Sequence, residues 1–313
     1  MSVLARMQIS VAVGCVWTSP ESPRALDEAA LRNPADIGGW LGGLTVPDKL
    51  NLSDDNRLQT QALFGTEVLV TEEWGDWAHI CIPEQTTSKN GLGYPGWIPR
   101  RQLAELQVGT ARAERAEAEI TAKRATLTVG RTKLTLGYLT RLRVSEVTAD
   151  SIRVDTPLGA GVLDRNEARI KSFANDDPVP VHEGRSIAEQ AARFDGLPYL
   201  WGGLSSFGFD CSGFAYMMHR SRGIPIPRDA SDQALEGETI ARERLEPGDL
   251  LFFAAEEGEG RVHHVGIYAG DNRMIHSPDS GSVVTTVRLY EGKLANEFCL
   301  AKRYWGRGAA YAG

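Results

Sequence analysis

Hydrophobic and polar positions alternate along much of the first hundred residues, as is typical of β-strands. QISVAVGCVW (8–17) forms one such stretch, and TEVLVTEEWGDWAHICI (66–82) predicts two strands joined at a turn. GYPGWIPRRQL (93–103) ends the region with proline and glycine. The pattern predicts a first all-β domain over residues 1–105, with an insertion over residues 27–60 that we expect to be loop with some helix.

The alternation returns in the middle of the chain, after a segment of different composition. Residues 104–125 are rich in Ala, Glu and Arg and predict a linker of partly helical character. TLTV, TKLTLGYLTRLRVSEVT and SIRVDTPLGAGVLD then give short strands separated by turns. We therefore expect a linker over residues 106–125 and a second small all-β domain over residues 126–178.

The last segment, residues 179–313, begins with helical periodicity and continues with strands. Apolar side chains recur at helical spacing in residues 185–197, and a second helix is expected to begin at Cys211. Three strand candidates follow, namely DLLFFAA, HHVGIYAG and RMIHSP. Helices followed by strands favour an α+β domain, so the predicted fold is multidomain, with two all-β domains preceding an α+β domain.

Composition and charge narrow the classes of partner. The formal net charge of −7 gives no reason to expect nucleic acid or an anionic membrane as a partner. The four cysteines lie far apart, without zinc-site spacing or the density of a disulfide framework. We expect no metal and no cofactor, and the composition leaves the oligomeric state open.

The N-terminus has a faint similarity to a lipoprotein signal, because a short apolar run precedes Gly14 and Cys15. The run is barely long enough and contains Gln8 and Ser10, so a strand is the preferred interpretation. No window approaches the roughly 20 apolar residues of a membrane helix. The expected location is the cytoplasm, with export as the alternative.

The stretch GFDCSGFAYMMHR (208–220) contains the first candidate for chemistry. Asp210 is well placed as an N-cap, which makes Cys211 the first helical residue. The positive end of the helix dipole would favour the Cys211 thiolate and lower the pKa of the thiol. A buried core cysteine is the alternative at this point, since free cysteines are among the most buried residues.

A nucleophilic cysteine needs a base, and two histidines in neighbouring strands are candidates. If residues 270–272 form a three-residue hairpin loop, His276 pairs with Gly266 and becomes a diagonal neighbour of His264 on the same face. A two-residue loop would put the histidines on opposite faces. Taken singly, a strand histidine is more often a packing or surface residue.

Several sequence blocks together resemble the NlpC/P60 family of papain-like cysteine peptidases. The blocks are PYLWGGLSSFGFDCSGF, PRDASDQ, LEPGDLLFF and HHVGIYAGDNRMIHSP, in the order found in the family and within residues 185–313. The resemblance implies Cys211 as nucleophile, His264 as general base, His276 as the orienting residue and Tyr199 as a group that helps bind the oxyanion. It also implies that the two preceding domains are bacterial SH3-like barrels and that the last domain is papain-like.

VWTSPESPR and GYPGWIP are similar to the subgroup of γ-D-glutamyl-L-diamino acid endopeptidases. This resemblance implies a murein peptide substrate with a free N-terminal L-Ala. The substrate ammonium would need anions in a partly closed pocket, because an unpaired buried charge is costly. The substrate-binding candidates are Asp210, Ser212, Asp229, Tyr94 and a glutamate of the first domain, for which Glu67 is preferred over Glu72 and Glu73.

For these candidates, apart from Asp210, a role as cap, turn or surface residue is an equal alternative. The function expected from the sequence is hydrolysis by acyl transfer through Cys211. The alternatives are an exported hydrolase acting on intact wall, a murein-binding protein with a vestigial catalytic domain, and an acyltransferase on the same fold.

Overall fold

The structure is a computed structural model. It describes residues 2–106, 116–172, 183–289, 291–292 and 294–306. These residues form two compact units, of which the first comprises residues 2–84, 89–106, 116–172 and 205–207. The second unit contains the remaining described residues. Among the described residues, no helix is long and apolar enough to cross a membrane.

The first unit begins with a seven-stranded antiparallel sheet. Its strands, in sheet order, are β3 (Leu58–Leu63), β2 (Val13–Trp17), β6 (Tyr94–Pro99), β5 (Trp77–Ile82), β4 (Glu67–Trp74), β1 (Ala5–Ile9) and β7 (Leu103–Glu105). The hairpin predicted within residues 66–82 is confirmed as β4 and β5. The predicted insertion contains three short helices, α1 (Glu28–Leu31), α2 (Ile37–Gly43) and α3 (Val46–Asp54). The expectation of loop with some helix is therefore confirmed.

A second seven-stranded antiparallel sheet completes the first unit. In sheet order its strands are β10 (Thr132–Gly137), β9 (Arg124–Val129), β13 (Gly159–Asp164), β12 (Ser151–Thr156), β11 (Arg141–Val147), β8 (Ala116–Ile120) and β14 (Ala168–Ser172). The all-β character predicted for both N-terminal regions is confirmed. Phe64 and Ala12 of the first sheet region pack into the core of the second.

The partly helical linker predicted for residues 104–125 is wrong for residues 116–120, which form strand β8. Ala118 and Ile120 of this strand are fully buried in the core. Glu119 stands directly opposite Arg141 on one side and Arg169 on the other. Cross-strand pairing and burial thus override the helix propensity of Ala and Glu. Residues 107–115 of the predicted linker lie outside the described residues.

The second unit combines helices with a six-stranded antiparallel sheet, so the predicted α+β character is confirmed. Sheet order is β17 (Glu238–Thr239), β22 (Phe298–Arg303), β18 (Leu250–Ala254), β19 (Val262–Gly270), β20 (Arg273–His276) and β21 (Thr285–Arg288). Strands β15 (Leu204–Ser205) and β16 (Gly208–Phe209) form a separate pair. The helices are α4 (Glu183–Ala192), α5 (Cys211–Arg220), α6 (Ala230–Leu235) and α7 (Leu294–Glu297). Helices α4, α5 and α6 contact β19, the strand that carries His264.

Candidate active site

Helix α5 begins at Cys211, as the sequence predicts. Asp210 has extended backbone angles, and its carboxylate accepts a hydrogen bond from the Gly213 amide at 2.6 Å. This is the geometry of an N-cap, which satisfies one of the free amides at a helix start. Phe214, Met217 and other residues of the helix are buried, which anchors the helix and fixes the direction of its first turn.

The hairpin β19–β20 brings the two candidate histidines to one face, although its turn differs from the expected one. Gly270 pairs with Arg273, so the turn has only two residues, and both have positive φ, which is typical of a type I′ turn. An irregularity between Tyr268 and Gly270 adds one residue to β19 and restores the predicted register, with Ile267 opposite Ile275. The predicted loop length was wrong, but the predicted pairing is confirmed by the bulge.

The imidazoles of His264 and His276 are hydrogen-bonded, with 2.8 Å between His264 Nε2 and His276 Nδ1. Gly266 lies beside them, and a Cβ atom there would come within 3.3 Å of the His276 Cβ and 2.8 Å of the Met274 sulfur. A side chain at this position would have to displace Met274 and would crowd His276, so the glycine keeps space open beside the imidazoles, as expected from the sequence. If His264 donates through Nε2, its Nδ1 is left as a free base.

Both histidines are neutral at pH 7. Burial lowers the pKa of His276 from 6.5 to about 4, although the Asp279 carboxylate acts in the opposite direction. Burial, together with His276 and His263, holds the pKa of His264 well below its ordinary value. Both imidazoles are therefore in the protonation state that can accept a proton, while burial lowers their basicity.

The thiol of Cys211 lies next to the histidine strand, since the backbone amide of Val265 acts on its sulfur. Burial and the adjacent Asp210 carboxylate raise the pKa of Cys211 to about 12, and the amides of Val265 and Ser212 only partly offset this. The expected lowering of the thiol pKa by the helix start is therefore not found. Desolvation of the thiolate and the charge of the capping aspartate outweigh it.

Tyr199 is buried and lies next to the start of helix α5. It bridges to Phe209, two residues before Cys211, and its own amide donates to the Ser282 carbonyl at 2.9 Å. Burial raises its pKa well above 10, and the charges of Cys211 and Asp210 add to the effect. The hydroxyl therefore keeps its proton and is available as a hydrogen-bond donor beside the thiol.

Asp210 takes part in a buried ion pair that the sequence did not indicate. Arg228 Nη2 lies 2.7 Å from Asp210 Oδ2, and Arg228 Nη1 donates to Asp210 Oδ1 and to the Ser212 hydroxyl at 3.1 and 2.9 Å. Arg228 is only 1% exposed. Arg228 lies in the block PRDASDQ and next to the apolar stretch IPIP, but neither pattern pairs it with Asp210. The carboxylate proposed for a substrate ammonium thus already has a cationic partner.

The remaining candidates are distributed over both units. Asp229 is half-buried and precedes helix α6 in the second unit. In the first unit, Tyr94 is buried at the start of β6, and its hydroxyl accepts a hydrogen bond from Lys89. Glu67 begins β4 and pairs with Arg6, whose Nε donates to it at 2.7 Å. Of its two rivals, Glu73 pairs with Arg100 at 3.0 Å. The substrate roles of these residues stay predictions.

The arrangement in the second unit defines a class of enzyme. A cysteine at a helix start, a neutral histidine on a nearby strand and a second histidine hydrogen-bonded to the first are the groups that a cysteine peptidase requires. No group of side chains suited to holding a metal ion occurs in the described part of the chain.

Comparison with known proteins gives the family. The profile of the NlpC/P60 family matches residues 196–303, and the profile described as bacterial dipeptidyl-peptidase Sh3 domain matches residues 52–103. The chain is 38% identical to a γ-D-glutamyl-L-lysine dipeptidyl-peptidase of Bacillus cereus over 95% of its own length and 90% of the relative's. A protein of the same name from Bacillus subtilis is 39% identical, with 93% and 96% covered. The chain belongs to the NlpC/P60 family of peptidases.

A solved structure agrees with this assignment over nearly the whole chain. The crystal structure of an NlpC/P60 family protein from Bacillus cereus superposes with a TM-score of 0.92 at 37% identity. The match covers 96% of this chain and 100% of that one. The predicted family, the SH3-like N-terminal region and the NlpC/P60 domain are confirmed.

Proposed function

We propose that the protein hydrolyses the bond between the γ-carboxyl of D-Glu and a diamino acid in murein peptides that carry a free N-terminal L-Ala. The observation that carries the proposal is the His264–His276 pair, hydrogen-bonded at 2.8 Å beside the Cys211 thiol. The relatives that match more than nine-tenths of the chain are named γ-D-glutamyl-L-lysine dipeptidyl-peptidases, which supports this choice of bond.

The reaction begins from a neutral thiol and a neutral imidazole. As the Cys211 sulfur attacks the γ-glutamyl carbonyl, the thiol proton passes to His264 Nδ1, and the Tyr199 hydroxyl donates to the oxyanion. The imidazolium then protonates the leaving amine of the diamino acid, which leaves an acyl-enzyme. Water, deprotonated by His264, releases the L-Ala-D-Glu dipeptide and restores the thiol.

In this proposal the Cys211 thiol, whose pKa is raised by burial, gives its proton to His264 when its sulfur attacks the carbonyl. His276 holds the His264 imidazole in the tautomer that can accept this proton. The Asp210–Arg228 pair keeps the helix start fixed during these steps, since its partners are both buried.

The test uses two synthetic peptides, L-Ala-γ-D-Glu-L-Lys and its N-acetylated twin, with products identified by mass spectrometry. We expect cleavage of only the free-amine peptide, with release of L-Ala-D-Glu. Cleavage of both peptides would keep the hydrolase but remove the requirement for a free amine, and would favour a hydrolase of intact wall. Binding to murein without cleavage of either peptide would contradict the enzyme assignment, and transfer of the acyl group to an added amine would indicate an acyltransferase.

The Cys211→Ala variant tests the nucleophile. We expect kcat/KM for the tripeptide to fall by about 10⁴-fold or more, because no other group can form the acyl-enzyme. Cys299→Ala is the matched control, since Cys299 is the other free, half-buried cysteine described in the same unit. Full cleavage by the Cys211→Ala variant would show that the mechanism is wrong.

We also propose that the enzyme acts in the cytoplasm, in the recycling of imported murein peptides. Fractionation of the cells that produce it, followed by assay of each fraction with the tripeptide, would test this. Activity concentrated in the medium or envelope fraction would favour the exported alternative.

A further inference from the structure

The loop that follows β20, residues 277–284, is fastened to the active site at both ends. At its start the Ser277 hydroxyl donates to the Phe209 carbonyl at 2.8 Å. At its end the Ser282 carbonyl accepts from the Tyr199 amide at 2.9 Å, and Val283 bridges to Pro198. The loop therefore runs from the orienting histidine to the backbone of the tyrosine beside the thiol.

Asp279 lies within this loop, and its side chain is exposed. The Ser282 hydroxyl donates to the Asp279 carboxylate, and the Ser282 amide donates to the Asp279 carbonyl at 3.1 Å. These two bonds hold the acidic side chain in a tight turn that is itself anchored to Tyr199. The mechanism above gives this carboxylate no role.

The charge of Asp279 acts on two groups of the active site. Burial dominates the pKa of both Tyr199 and His276, and in each case the Asp279 carboxylate shifts the pKa upward. Asp279 follows His276 by three residues, and its turn is hydrogen-bonded to the Tyr199 amide through Ser282, so its negative charge lies close to both groups.

The position of the proton donor indicates which part of the substrate lies closest to the Asp279 carboxylate. His264 must give a proton to the leaving α-amine, so the diamino acid lies on the histidine side of Cys211. The acyl part, L-Ala-γ-D-Glu, lies on the other side of the scissile bond. A diamino acid such as lysine carries a second, unreacted ammonium at the end of a flexible side chain, and it needs an anionic partner.

We propose that Asp279 is a specificity residue that binds the side-chain ammonium of the diamino acid in the leaving group. The proposal rests on the proposed function. Two other carboxylates among the described residues of this unit already have partners: Asp210 is paired with Arg228, and Glu297 lies 3.1 Å from the His263 ring. An exposed ion pair contributes modestly, so the preference for a charged side chain is expected to be about fivefold and to weaken with salt.

The experiment compares L-Ala-γ-D-Glu-L-Lys with the same peptide ending in 6-hydroxy-L-norleucine, which has a side chain of the same length without the charge. For the wild type, the ratio of kcat/KM values, lysine over hydroxynorleucine, is expected to be about five at low salt. In Asp279→Asn, which keeps an oxygen for the Ser282 hydroxyl, the ratio is expected to fall to about one. In Asp279→Lys it should fall below one, because like charges repel.

Ser282→Ala is the matched control, because it removes the hydrogen bond to Asp279 and leaves the charge in place. It is expected to change kcat/KM for both peptides by the same factor and to keep the ratio above one. If Asp279 only supported the loop or His276, Asp279→Asn would likewise slow both peptides equally and leave the ratio at five, which would overturn the proposal. Equal cleavage of both peptides by the wild type would overturn it too, with the proposed function intact. Cleavage of neither peptide would refute the proposed function and this inference with it.

Discussion

Glu119 in the second sheet and Asp210 next to Cys211 are both buried carboxylates paired with arginine, but their surroundings differ. Glu119 contacts three cations from two neighbouring strands, Arg141, Arg169 and Lys171, at 2.5–3.0 Å. The cations are themselves 21%, 41% and 30% exposed and keep contact with water. Asp210 has one cation, Arg228, whose side chain is only 1% exposed.

The difference affects what each charge does. Burial alone would raise the pKa of Glu119, but its three cations hold the pKa below the ordinary value. The negative charge of Asp210 is paired with the single positive charge of Arg228, and it still raises the pKa of the neighbouring Cys211 and Tyr199. Glu119, which is surrounded by cations that contact water, stabilises the sheet. Asp210, whose single cationic partner is buried, also raises the pKa values of the groups next to it.

Arg228→Met is expected to have the largest effect, because it leaves the Asp210 carboxylate buried without its partner. We expect the free energy of unfolding to fall by about 3–5 kcal/mol. Activity on the tripeptide should fall as well, since the cap of the catalytic helix loses its support. Urea denaturation and kcat/KM are the measurements.

The double variant Arg228→Met with Asp210→Asn separates charge from shape. Asparagine still caps the helix but carries no charge, so we expect it to recover most of the lost stability. A double variant as unstable as the single one would mean that Arg228 acts through packing, and the contrast with Glu119 would then lose its basis.

His219 provides a third buried ionisable group, and among the described residues it forms no ion pair. Its Nδ1 interacts with the Ala215 carbonyl at 2.9 Å, while its Nε2 has no hydrogen-bond partner within the described chain. Burial lowers its pKa from 6.5 to about 4. Below pH 6.5, His219 of the unfolded chain therefore binds a proton that His219 of the folded chain does not bind. The contribution of neutral His219 to the free energy of unfolding is fully present above pH 6.5 and is lost as the pH falls toward 4.

For His219→Leu we expect a weaker pH dependence of stability. At pH 4 the lowered pKa of His219 reduces the free energy of unfolding of the wild type by about 3 kcal/mol. Between pH 6.5 and 4, the free energy of unfolding of the variant should therefore fall by about 3 kcal/mol less than that of the wild type. Urea midpoints over this range measure the slope. Parallel curves for the two proteins would show that His219 takes up its proton in the folded state.

Glu119→Gln is expected to have the smallest effect. Three cations are left without their anion, but water can reach them, so the loss of stability is expected to be about 2 kcal/mol. Cleavage of the tripeptide should be unchanged within about twofold, because Glu119 is a sheet residue of the first unit. A large loss of activity in this variant would contradict the difference drawn between Glu119, which stabilises a sheet, and Asp210, which affects the pKa of Cys211.

The local features of the site were predictable from the sequence because each has a local cause. Asp210 as N-cap and the shared face of His264 and His276 follow from short-range geometry that residue type and strand period determine. The pairing was right although the loop was not, because a bulge in β19 compensated for the shorter turn. The sequence contained no pattern from which we predicted this bulge.

What could not be predicted depends on contacts between distant residues. Arg228 is 18 residues from Asp210, and no periodicity connects them. The raised pKa of Cys211 depends on how deeply the fold buries the thiol, which the helix start does not reveal. Strand β8 was mistaken for part of a partly helical linker because Ala and Glu favour helices in isolation, whereas its partners Arg141 and Arg169 come later in the chain.

The two-residue turn at Asp271 and Asn272 has a consequence for evolution and engineering. Exposed hairpin turns are usually where a chain accepts insertions and deletions. Here the turn and the bulge in β19 together set the register that places His276 and His264 on one face. An inserted residue keeps that register only if the bulge is lost at the same time, and a deleted residue only if a further bulge forms. Loop-length libraries of this scaffold should therefore vary the turn and the bulge together.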